Sequence, residues 1–361
     1  MSSSVPTESS TTLTDNITLN DDSPFAYIAA GIRIGSIGGV AVNASDDALT
    51  VAVEGEVVGF DGIFADGTSN LFTIGAHGKA WGSIGGLVSH GSDATIFNAG
   101  TIFGGAFGVD LEGADHAQLH NSGTITGGRN GESEAGAVTL NALTSGETHR
   151  IDNSGLIQTQ RAGGLAIAGI GNGVETIVNT GTIKGRISLG LGNDLLDTSR
   201  GTVAGAIDMG GGNDTARGSA AADNIVGGTG NDQLSGNAGN DVLRGDAGAD
   251  LLAGGAGADR FVFLSGHSGI TAATEDRITD FSHAQHDVID LRLFDANRLV
   301  ASDQVFAFIG TKAFTHHAGE LHYAVSGGNA FVSGDADGNG VADFTIRLDH
   351  TTALVAADFL L

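Results

Sequence analysis

The sequence of 361 residues contains no cysteine, 2 prolines, and 16 Lys and Arg residues against 42 Asp and Glu residues. Without cysteine the chain cannot form disulfides or a cysteine-ligated zinc or iron–sulfur site. The formal net charge of −26 argues against nucleic-acid binding, because neutralising phosphates requires a face rich in Lys and Arg. No apolar run approaches the ~20 residues of a membrane helix, so no membrane span is predicted.

Glycine is abundant, with 60 residues, yet 40% of the chain is hydrophobic. A collagen needs many prolines and a Gly-X-Y period, and the chain has neither. A disordered chain has too few apolar residues to form a core, which does not fit this hydrophobic fraction. We therefore expect the glycines to belong to a regular structure that still buries a core.

The N-terminal segment, residues 1–24, is rich in Ser, Thr and Asp and is predicted to be disordered. It lacks the basic start and the hydrophobic stretch of a secretory signal peptide. Taken alone, this composition fits either a cytoplasmic protein or a protein that is exported without an N-terminal signal.

A first repeat, Asn-x-Gly-x-Ile, occurs four times and begins at Asn98, Asn121, Asn153 and Asn179. Short strands joined by glycine turns, at a period of about 22 residues with insertions, predict a right-handed parallel β-helix over residues 25–205. The asparagines are predicted to form an amide ladder along one corner of the stacked coils. These coils resemble the solenoids of bacterial autotransporter passengers and adhesins.

An enzyme is the alternative interpretation of this region, since parallel β-helices include lyases and epimerases of acidic polysaccharide. Such chemistry needs charged groups stacked on neighbouring coils. The predicted alignment places Asp110 beside Thr139 and Ala166, so no column of carboxylates forms and catalysis is not favoured. The remaining polar clusters are interpreted as solvated turn residues: Asp115, His116 and His120 on one coil, and His149 and Arg150 on the next.

A second repeat, with a period of nine, begins at residue 210. An apolar residue follows each repeated aspartate two positions later, as in Asp232-Gln-Leu234. The pattern Gly-Gly-x-Gly-x-Asp-x-U-x, with U apolar, resembles the hemolysin-type calcium-binding nonapeptide of RTX proteins. A flexible linker would not keep an apolar residue locked to this register. The six aspartates in register are Asp214, Asp223, Asp232, Asp241, Asp250 and Asp259.

These turns suit calcium, because glycines can point backbone carbonyls inward and Ca²⁺ prefers six to eight oxygen ligands. Several Ca²⁺ ions are predicted, and their binding should be coupled to folding. Two repeats make one coil, which pairs Asp214 with Asp232, Asp223 with Asp241, Asp232 with Asp250, and Asp241 with Asp259. The predicted ligands are these six carboxylates and the carbonyls of Gly228, Gly230, Gly236, Gly239, Gly245, Gly248, Gly254 and Gly257.

Two aspartates fit the pattern poorly. The turn before Asp223 has lost most of its glycines, so the sites that it would join are less well defined. Asp194, near the end of the predicted β-helix, is interpreted as an isolated outlier.

The final hundred residues resemble the C-terminal region of serralysin-type secreted metalloproteases, through Asp276–Phe281, Asp287–Leu291, Gly334–Phe344 and the last residues, Asp358-Phe-Leu-Leu361. The resemblance implies a cap on the β-roll and an uncleaved signal for type I (ABC-transporter) secretion. The sequence contains no His-Glu-x-x-His motif, so the zinc ligands and the general base of the protease are missing. Protease activity is therefore not predicted.

One further calcium loop is possible in this region. Asp335, Asp337 and Asn339 reproduce the start of an EF-hand loop, but position twelve is Ile346 in place of Glu. A partial calcium loop that uses Asp343 and a plain acidic turn between two strands are both compatible with the sequence.

The sequence as a whole predicts an all-β protein: a right-handed parallel β-helix over 25–205, a calcium-binding parallel β-roll over 206–262, and a β-rich C-terminal cap over 263–361. The expected function is that of a secreted, extracellular calcium-binding RTX protein of a Gram-negative bacterium, exported by type I secretion machinery. Its solenoid would be a structural or adhesive surface, with cell-surface or extracellular polysaccharide as the expected partner. The alternative is a lyase or epimerase of acidic polysaccharide.

Overall fold

The computed structural model describes residues 17–19, 25–36, 39–113, 116–128, 136–142, 146–300 and 304–361. Contacts divide the chain into two compact units, Met1–Ala206 and Ile207–Leu361. Of the segment 1–24, for which disorder is predicted, only Ile17–Leu19 is described, and it forms a strand. Asp115 also lies outside the described residues. The predicted domain boundaries at residues 24, 205 and 262 stay a prediction.

The described part of the first unit consists of short strands joined by turns. Its strands are β1 (Ile17–Leu19), β2 (Phe25–Ile28), β3 (Arg33–Gly35), β4 (Val42–Ala44), β5 (Thr50–Val53), β6 (Glu56–Gly59), β7 (Ile63–Ala65), β8 (Leu71–Ile74), β9 (Lys79–Gly82), β10 (Gly85–Ser89), β11 (Thr95–Asn98), β12 (Thr101–Gly104), β13 (Phe107–Glu112), β14 (Ala117–Asn121), β15 (Thr124–Gly127), β16 (Val138–Ala142), β17 (Thr148–Asn153), β18 (Leu156–Thr159), β19 (Leu165–Gly171), β20 (Val174–Asn179), β21 (Thr182–Lys184), β22 (Arg186–Ser188), β23 (Leu195–Asp197) and β24 (Thr202–Ala204).

Every third strand of this unit is a neighbour in the same parallel sheet, so each coil contributes one strand to each of three faces. The first face begins with β1, β4 and β7, the second with β2, β5 and β8, and the third with β3, β6 and β9. Alternate side chains point inward and stack in columns; Ile102, Ile125 and Ile157 on the third face are fully buried. The coils thus share one continuous apolar core, as a solenoid requires.

The predicted amide ladder is present at the end of the second face. The Nδ2 group of Asn98 donates to Oδ1 of Asn121, Asn121 donates to Asn153, and Asn153 donates to Asn179, each over 2.7 Å. The adjoining glycine is required because a Cβ at Gly123 would lie 2.2 Å from the carbonyl oxygen of Gly100. The ladder satisfies buried amides that would otherwise destabilise the core.

The described part of the second unit also consists of strands, with two short 3₁₀ helices, η1 (His283–Gln285) and η2 (Ala356–Asp358). Its strands are β25 (Ile207–Gly211), β26 (Thr215–Arg217), β27 (Asn224–Thr229), β28 (Gln233–Ser235), β29 (Val242–Ala247), β30 (Leu251–Ala253), β31 (Arg260–Val262), β32 (Asp276–Ile278), β33 (Val288–Asp290), β34 (Ala307–Gly310), β35 (Glu320–Ser326), β36 (Asn329–Asp335), β37 (Phe344–Leu348) and β38 (Phe359–Leu360).

This unit begins as a two-sided roll, in which alternate strands belong to opposite sheets. On one side Ile225 pairs with Leu243 and Leu243 with Phe261, and on the other Leu234 pairs with Leu252. All five side chains are buried. These are the U residues of the nonapeptides, so one eighteen-residue coil buries two of them, one from each side.

The roll leads into a C-terminal part in which β36 pairs antiparallel with β35 and with β37. Phe294, Phe306 and Phe344 form its aromatic core. The predicted fold class is confirmed, since the described residues form an all-β structure dominated by parallel sheets. Within the described ranges, no helix is long and apolar enough to cross a membrane.

Candidate metal centre

The nonapeptide turns place backbone carbonyls between adjacent coils. Gly248 has a φ of +150°, which favours glycine, and a Cβ there would lie 1.8 Å from the carbonyl oxygen of Gly230. On the opposite side, the carbonyl oxygen of Gly239 approaches Gly257 in the same way. Any larger residue would separate the coils. The predicted ligands Gly228, Gly230, Gly239, Gly248 and Gly257 all have positive φ.

The aspartates form two columns, one on each side of the roll. In the first column, Oδ1 of Asp232 accepts from the backbone N–H of Asp214 over 2.8 Å, and Oδ1 of Asp250 accepts from Asp232 over 2.9 Å. In the second, Asp241 accepts from Asp223 over 2.8 Å and Asp259 accepts from Asp241 over 2.9 Å. The structure therefore places each of the four predicted pairs on adjacent coils.

The second oxygen of these carboxylates is buried without a hydrogen-bond partner among the described residues. This holds for Oδ2 of Asp232, Asp241, Asp250 and Asp259, and for Oδ1 of Asp223. A buried acceptor without a partner costs about 1–3 kcal/mol, and more when it is charged. The same carboxylate oxygen lacks a hydrogen-bond partner in successive repeats. This regularity indicates that each repeat contributes the oxygen to a bound ligand.

The orphaned oxygens border a space that glycine leaves open. A Cβ at Gly236 would lie 2.1 Å from Oδ2 of Asp241 and 2.6 Å from the carbonyl oxygen of Gly254. A Cβ at Gly227 would meet Oδ2 of Asp232 and the carbonyl oxygen of Gly245 in the same way. Carboxylate and carbonyl oxygens on two adjacent coils are the donors that Ca²⁺ takes, so the residues present fit this ion.

Electrostatics favour a cation at both columns. Burial raises the pKa of Asp232 and Asp241 to about 6 and that of Asp250 to about 7, with other aspartates of the roll adding to each rise. A raised pKa means that the ionised carboxylate is unfavourable in these surroundings. A divalent cation would stabilise the ionised form and remove the repulsion.

Both columns continue beyond the repeats, through two aspartates that the nine-residue pattern missed. Oδ1 of Asp276 accepts from the N–H of Asp250 over 2.9 Å, and Oδ1 of Asp287 accepts from Asp259 over 3.0 Å. Burial raises the pKa of Asp276 to about 8. Their spacings of 26 and 28 residues break the register. An apolar residue two positions later, Ile278 or Ile289, was the available signal.

The isolated outlier Asp194 has the same kind of contact in the first unit. Its Oδ1 accepts from the backbone N–H of Glu175 over 2.8 Å. The interpretation of Asp194 as isolated is therefore wrong. Its carboxylate accepts a hydrogen bond from the backbone of the adjacent coil, as the aspartates of the roll do.

The structure brings Asp335, Asp337 and Asp343 together, with one carboxylate oxygen from each within 4.8 Å of the others. The turn already uses these oxygens, since Asp335 accepts from the N–H groups of Gly338 and Gly340. The Asn339 side chain accepts from the N–H of Val341, and Ile346 lies buried in β37. Both sequence alternatives, the partial calcium loop and the acidic turn, therefore stay open.

Further interpretations of the β-helix are wrong. Thr139 pairs with Ala168, two residues beyond the predicted Ala166. His149 is not a solvated turn residue: it points inward from β17, is 1% exposed, and its Nδ1 lies 3.4 Å from Oε1 of buried Glu175. His120 lies in β14 and Arg150 in β17, so neither residue lies in a turn. Alternation along a strand decides which side chains point inward, and coils of unequal length shift the register that the sequence predicts.

A groove of about 590 Å³ on the second face includes His120 and Asp152. His120 stacks on the exposed ring of Phe97, and its Nδ1 lies 3.2 Å from Oδ2 of Asp152 on the next coil. Arg33 and Glu56, on neighbouring coils of the third face, lie 3.5 Å apart, but neither lines this groove.

Comparison with known families identifies the repeats. A sequence model described as the RTX calcium-binding nonapeptide repeat (4 copies) matches residues 210–243, 226–261 and 235–269. The chain therefore contains RTX calcium-binding repeats, which imply that this region binds Ca²⁺.

Comparison with solved structures gives two similar modules, both from Azotobacter vinelandii mannuronan C5-epimerase. The AlgE6R3 subunit is 32% identical over 41% of this chain and 77% of its own, with a TM-score of 0.30. The AlgE6R2 subunit is 31% identical over 40% of this chain and 89% of its own, with a TM-score of 0.27. No curated protein matches the chain.

Proposed function

We propose that this chain is a secreted calcium-binding protein whose second unit acquires its structure when Ca²⁺ occupies the two aspartate columns. The observation that carries the proposal is the repeated, buried carboxylate oxygen without a hydrogen-bond partner at Asp232, Asp241, Asp250 and Asp259. RTX repeats are typical of secreted proteins. Outside the cell Ca²⁺ is abundant, and extracellular calcium modules function with dissociation constants of ~10⁻⁴ to 10⁻³ M.

Calcium supplies charge neutralisation and cross-coil bonds when it is bound. The chain's own residues do the rest: glycines allow the coils to approach, and each Oδ1 holds the backbone N–H of the coil before it. The U residues bury the apolar interior. Because the strands are three to six residues long, the coils bury too little surface to overcome carboxylate repulsion without the ion.

A calcium titration of the chelated full chain tests this proposal. We expect circular dichroism at millimolar Ca²⁺ to gain β-signal in a saturable step. Mg²⁺ at the same concentration should not replace it, since Mg²⁺ demands a near-ideal octahedron and dehydrates reluctantly. A spectrum that does not change with calcium would contradict the proposal.

The C-terminal residues Asp358–Leu361 support export by type I (ABC-transporter) machinery, through their resemblance to the serralysin-type terminus. In the folded unit these residues are held in place. Oδ1 of Asp358 lies 2.6 Å from Nδ1 of His283, and Phe359 is buried where β38 pairs with β33. A signal read by an exporter would therefore be accessible before the calcium-dependent fold forms.

Deletion of the last ~60 residues, within which a type I signal lies if this resemblance holds, should abolish export from a strain that carries a type I exporter. The control is His283→Gln in the full chain, which weakens the bond to Asp358 and leaves the last four residues unchanged. Export of the variant together with retention of the deletion supports the proposal. Export of the deleted chain would contradict it.

A second candidate function is binding of an acidic polysaccharide at the roll. A groove of about 430 Å³ is lined by Arg244, Arg260 and Arg292. Arg260 and Arg292 share one carboxylate, that of Asp290, at 3.7 and 2.6 Å. Three guanidinium groups therefore cluster on a chain of net charge −26, and guanidinium binds carboxylates in a bidentate geometry.

Alginate, a polyuronate, should bind the calcium-loaded chain, and neutral dextran should not. Arg260→Gln should weaken alginate binding at least about tenfold, because the loss of one charge-assisted contact is worth ~1.5–3 kcal/mol. Affinity electrophoresis measures the binding of each polysaccharide and the effect of the substitution. Arg217→Gln, in β26 of the opposite sheet, is the matched control. Equal weakening by the two substitutions would show that only overall charge matters.

A further inference from the structure

We propose that the first face of the β-helix carries a second cation site, formed by His90, Asp110 and Glu112, that takes a divalent transition metal in preference to calcium. The site lies in the first unit, outside residues 210–269 that match the calcium repeat. It therefore stands independently of the calcium-dependent roll.

Strand pairing brings the three side chains together. β10 pairs in parallel with β13, with Val88 opposite Asp110 and Ser89 opposite Leu111. Continuing this register by one residue places His90 opposite Glu112, and Asp110 and Glu112 project from the same face of β13. Nε2 of His90 lies 3.5 Å from Oε2 of Glu112. One ligand atom from each of the three residues lies within 4.8 Å of the others.

Asp110 is the observation that points to a ligand. The residue as a whole is only 9% exposed, and one of its carboxylate oxygens lies within 4.8 Å of the ligand atoms of His90 and Glu112. No hydrogen bond to this carboxylate occurs among the described residues. Burial, with the nearby carboxylates of Glu112 and Asp61, raises the pKa of Asp110 to about 7. A buried carboxylate without a donor beside two further acids is unfavourable. A cation bound by His90, Asp110 and Glu112 would stabilise the ionised carboxylate of Asp110.

The surrounding residues hold the cluster in position. The ring of His90 packs edge-on against Phe64 with centroids 5.2 Å apart, and the backbone N–H of His90 donates to the carbonyl of Ala65 over 2.8 Å. Asp61 accepts from the N–H of Gly85 over 2.9 Å. The ring and the backbone of His90 are therefore held by the preceding coil, which favours a metal site.

The donor set distinguishes this site from the roll. The columns of the roll offer only carboxylate and carbonyl oxygens, which suit Ca²⁺. One imidazole with two carboxylates suits first-row ions such as Mn²⁺, Fe²⁺ and Zn²⁺, because imidazole is a poor ligand for calcium. The two kinds of site can therefore be filled separately in one molecule.

The test is a titration of the full chain with Mn²⁺ in saturating Ca²⁺, followed by electron paramagnetic resonance of free Mn²⁺. We expect one Mn²⁺ per chain to remain bound while calcium occupies the roll. Asp110→Asn and His90→Gln should each weaken this binding at least about tenfold. Glu56→Gln, an ion-paired residue on the third face, is the matched control and should leave Mn²⁺ binding unchanged.

Thermal unfolding separates loss of the site from loss of the fold. Without Mn²⁺, Asp110→Asn should melt a few degrees higher than the wild-type chain, because a neutral amide replaces an unfavourable buried carboxylate. Addition of Mn²⁺ should then stabilise the wild-type chain and not the variant. Mn²⁺ that binds the wild type and Asp110→Asn equally, or that calcium displaces completely from the wild type, would overturn the proposal.

Discussion

Chelation of calcium from the full chain should make the backbone amides of β27–β31 exchange with solvent at least about a thousandfold faster, while amides beside the asparagine ladder stay protected. Each ion that binds only the folded roll contributes ~4 kcal/mol at a thousandfold excess over its Kd. The binding free energy of several such ions is comparable with the ~5–15 kcal/mol that stabilises an ordinary domain. Loss of the ions therefore removes the protection of the roll.

Hydrogen–deuterium exchange with peptide resolution measures this difference within one molecule. Peptides that contain Asn121 and Asn153 are the internal control, since their ladder is closed by side-chain amides and contains no carboxylate. Restoring calcium should restore protection in the roll. Equal loss of protection in both units, or unchanged protection in β27–β31, would sink the idea that calcium acts through the aspartate columns.

Asp250→Asn should raise the calcium concentration at the folding midpoint at least about tenfold, because a charged ligand is lost. The substitution isolates ligation from hydrogen bonding. An asparagine keeps the Oδ1 that accepts from the N–H of Asp232, but its amide nitrogen cannot bind a cation. Circular dichroism during a calcium titration of the full chain measures the shift.

The matched control is Asp246→Asn, four residues earlier in the same repeat. Asp246 has a φ of +69°, which Asn tolerates, and its carboxylate lies 2.9 Å from Arg244 and outside the columns. Its calcium midpoint should stay near that of the wild-type chain. If the two variants shift the midpoint equally, net charge and not ligation explains the effect.

The roll could be predicted from the sequence because its spacing is regular. An apolar residue locked two positions after an aspartate, at a period of nine, requires a two-sided coil, and the structure places Leu234 and Leu243 on opposite sheets. The columns could not be followed to their ends, because the link before Asp276 inserts eight residues into the eighteen-residue register. The hydrogen bond between Asp250 and Asp276 forms because Asp276 lies on the adjacent coil. The number of residues that connect the two coils does not affect it.

The β-helix was harder to predict at the level of single side chains. Its coils vary in length, so the alignment predicted from the sequence is wrong by two residues: Thr139 pairs with Ala168 and not with Ala166. His90 was not predicted as a partner of Glu112, because it lies one coil earlier and directly after the end of β10. The polarity of His149 indicates a solvated residue, although alternation in β17 points it inward.

The two-sided coil also determines how such a roll can change length during evolution. Insertion of a single nonapeptide would move every later strand to the opposite sheet and would detach Asp276 and Asp287 from their columns. Insertion of two adds a complete coil, with one aspartate on each side, and leaves both ends unchanged. Duplications and deletions in this region should therefore survive in steps of eighteen residues, although the sequence repeats every nine.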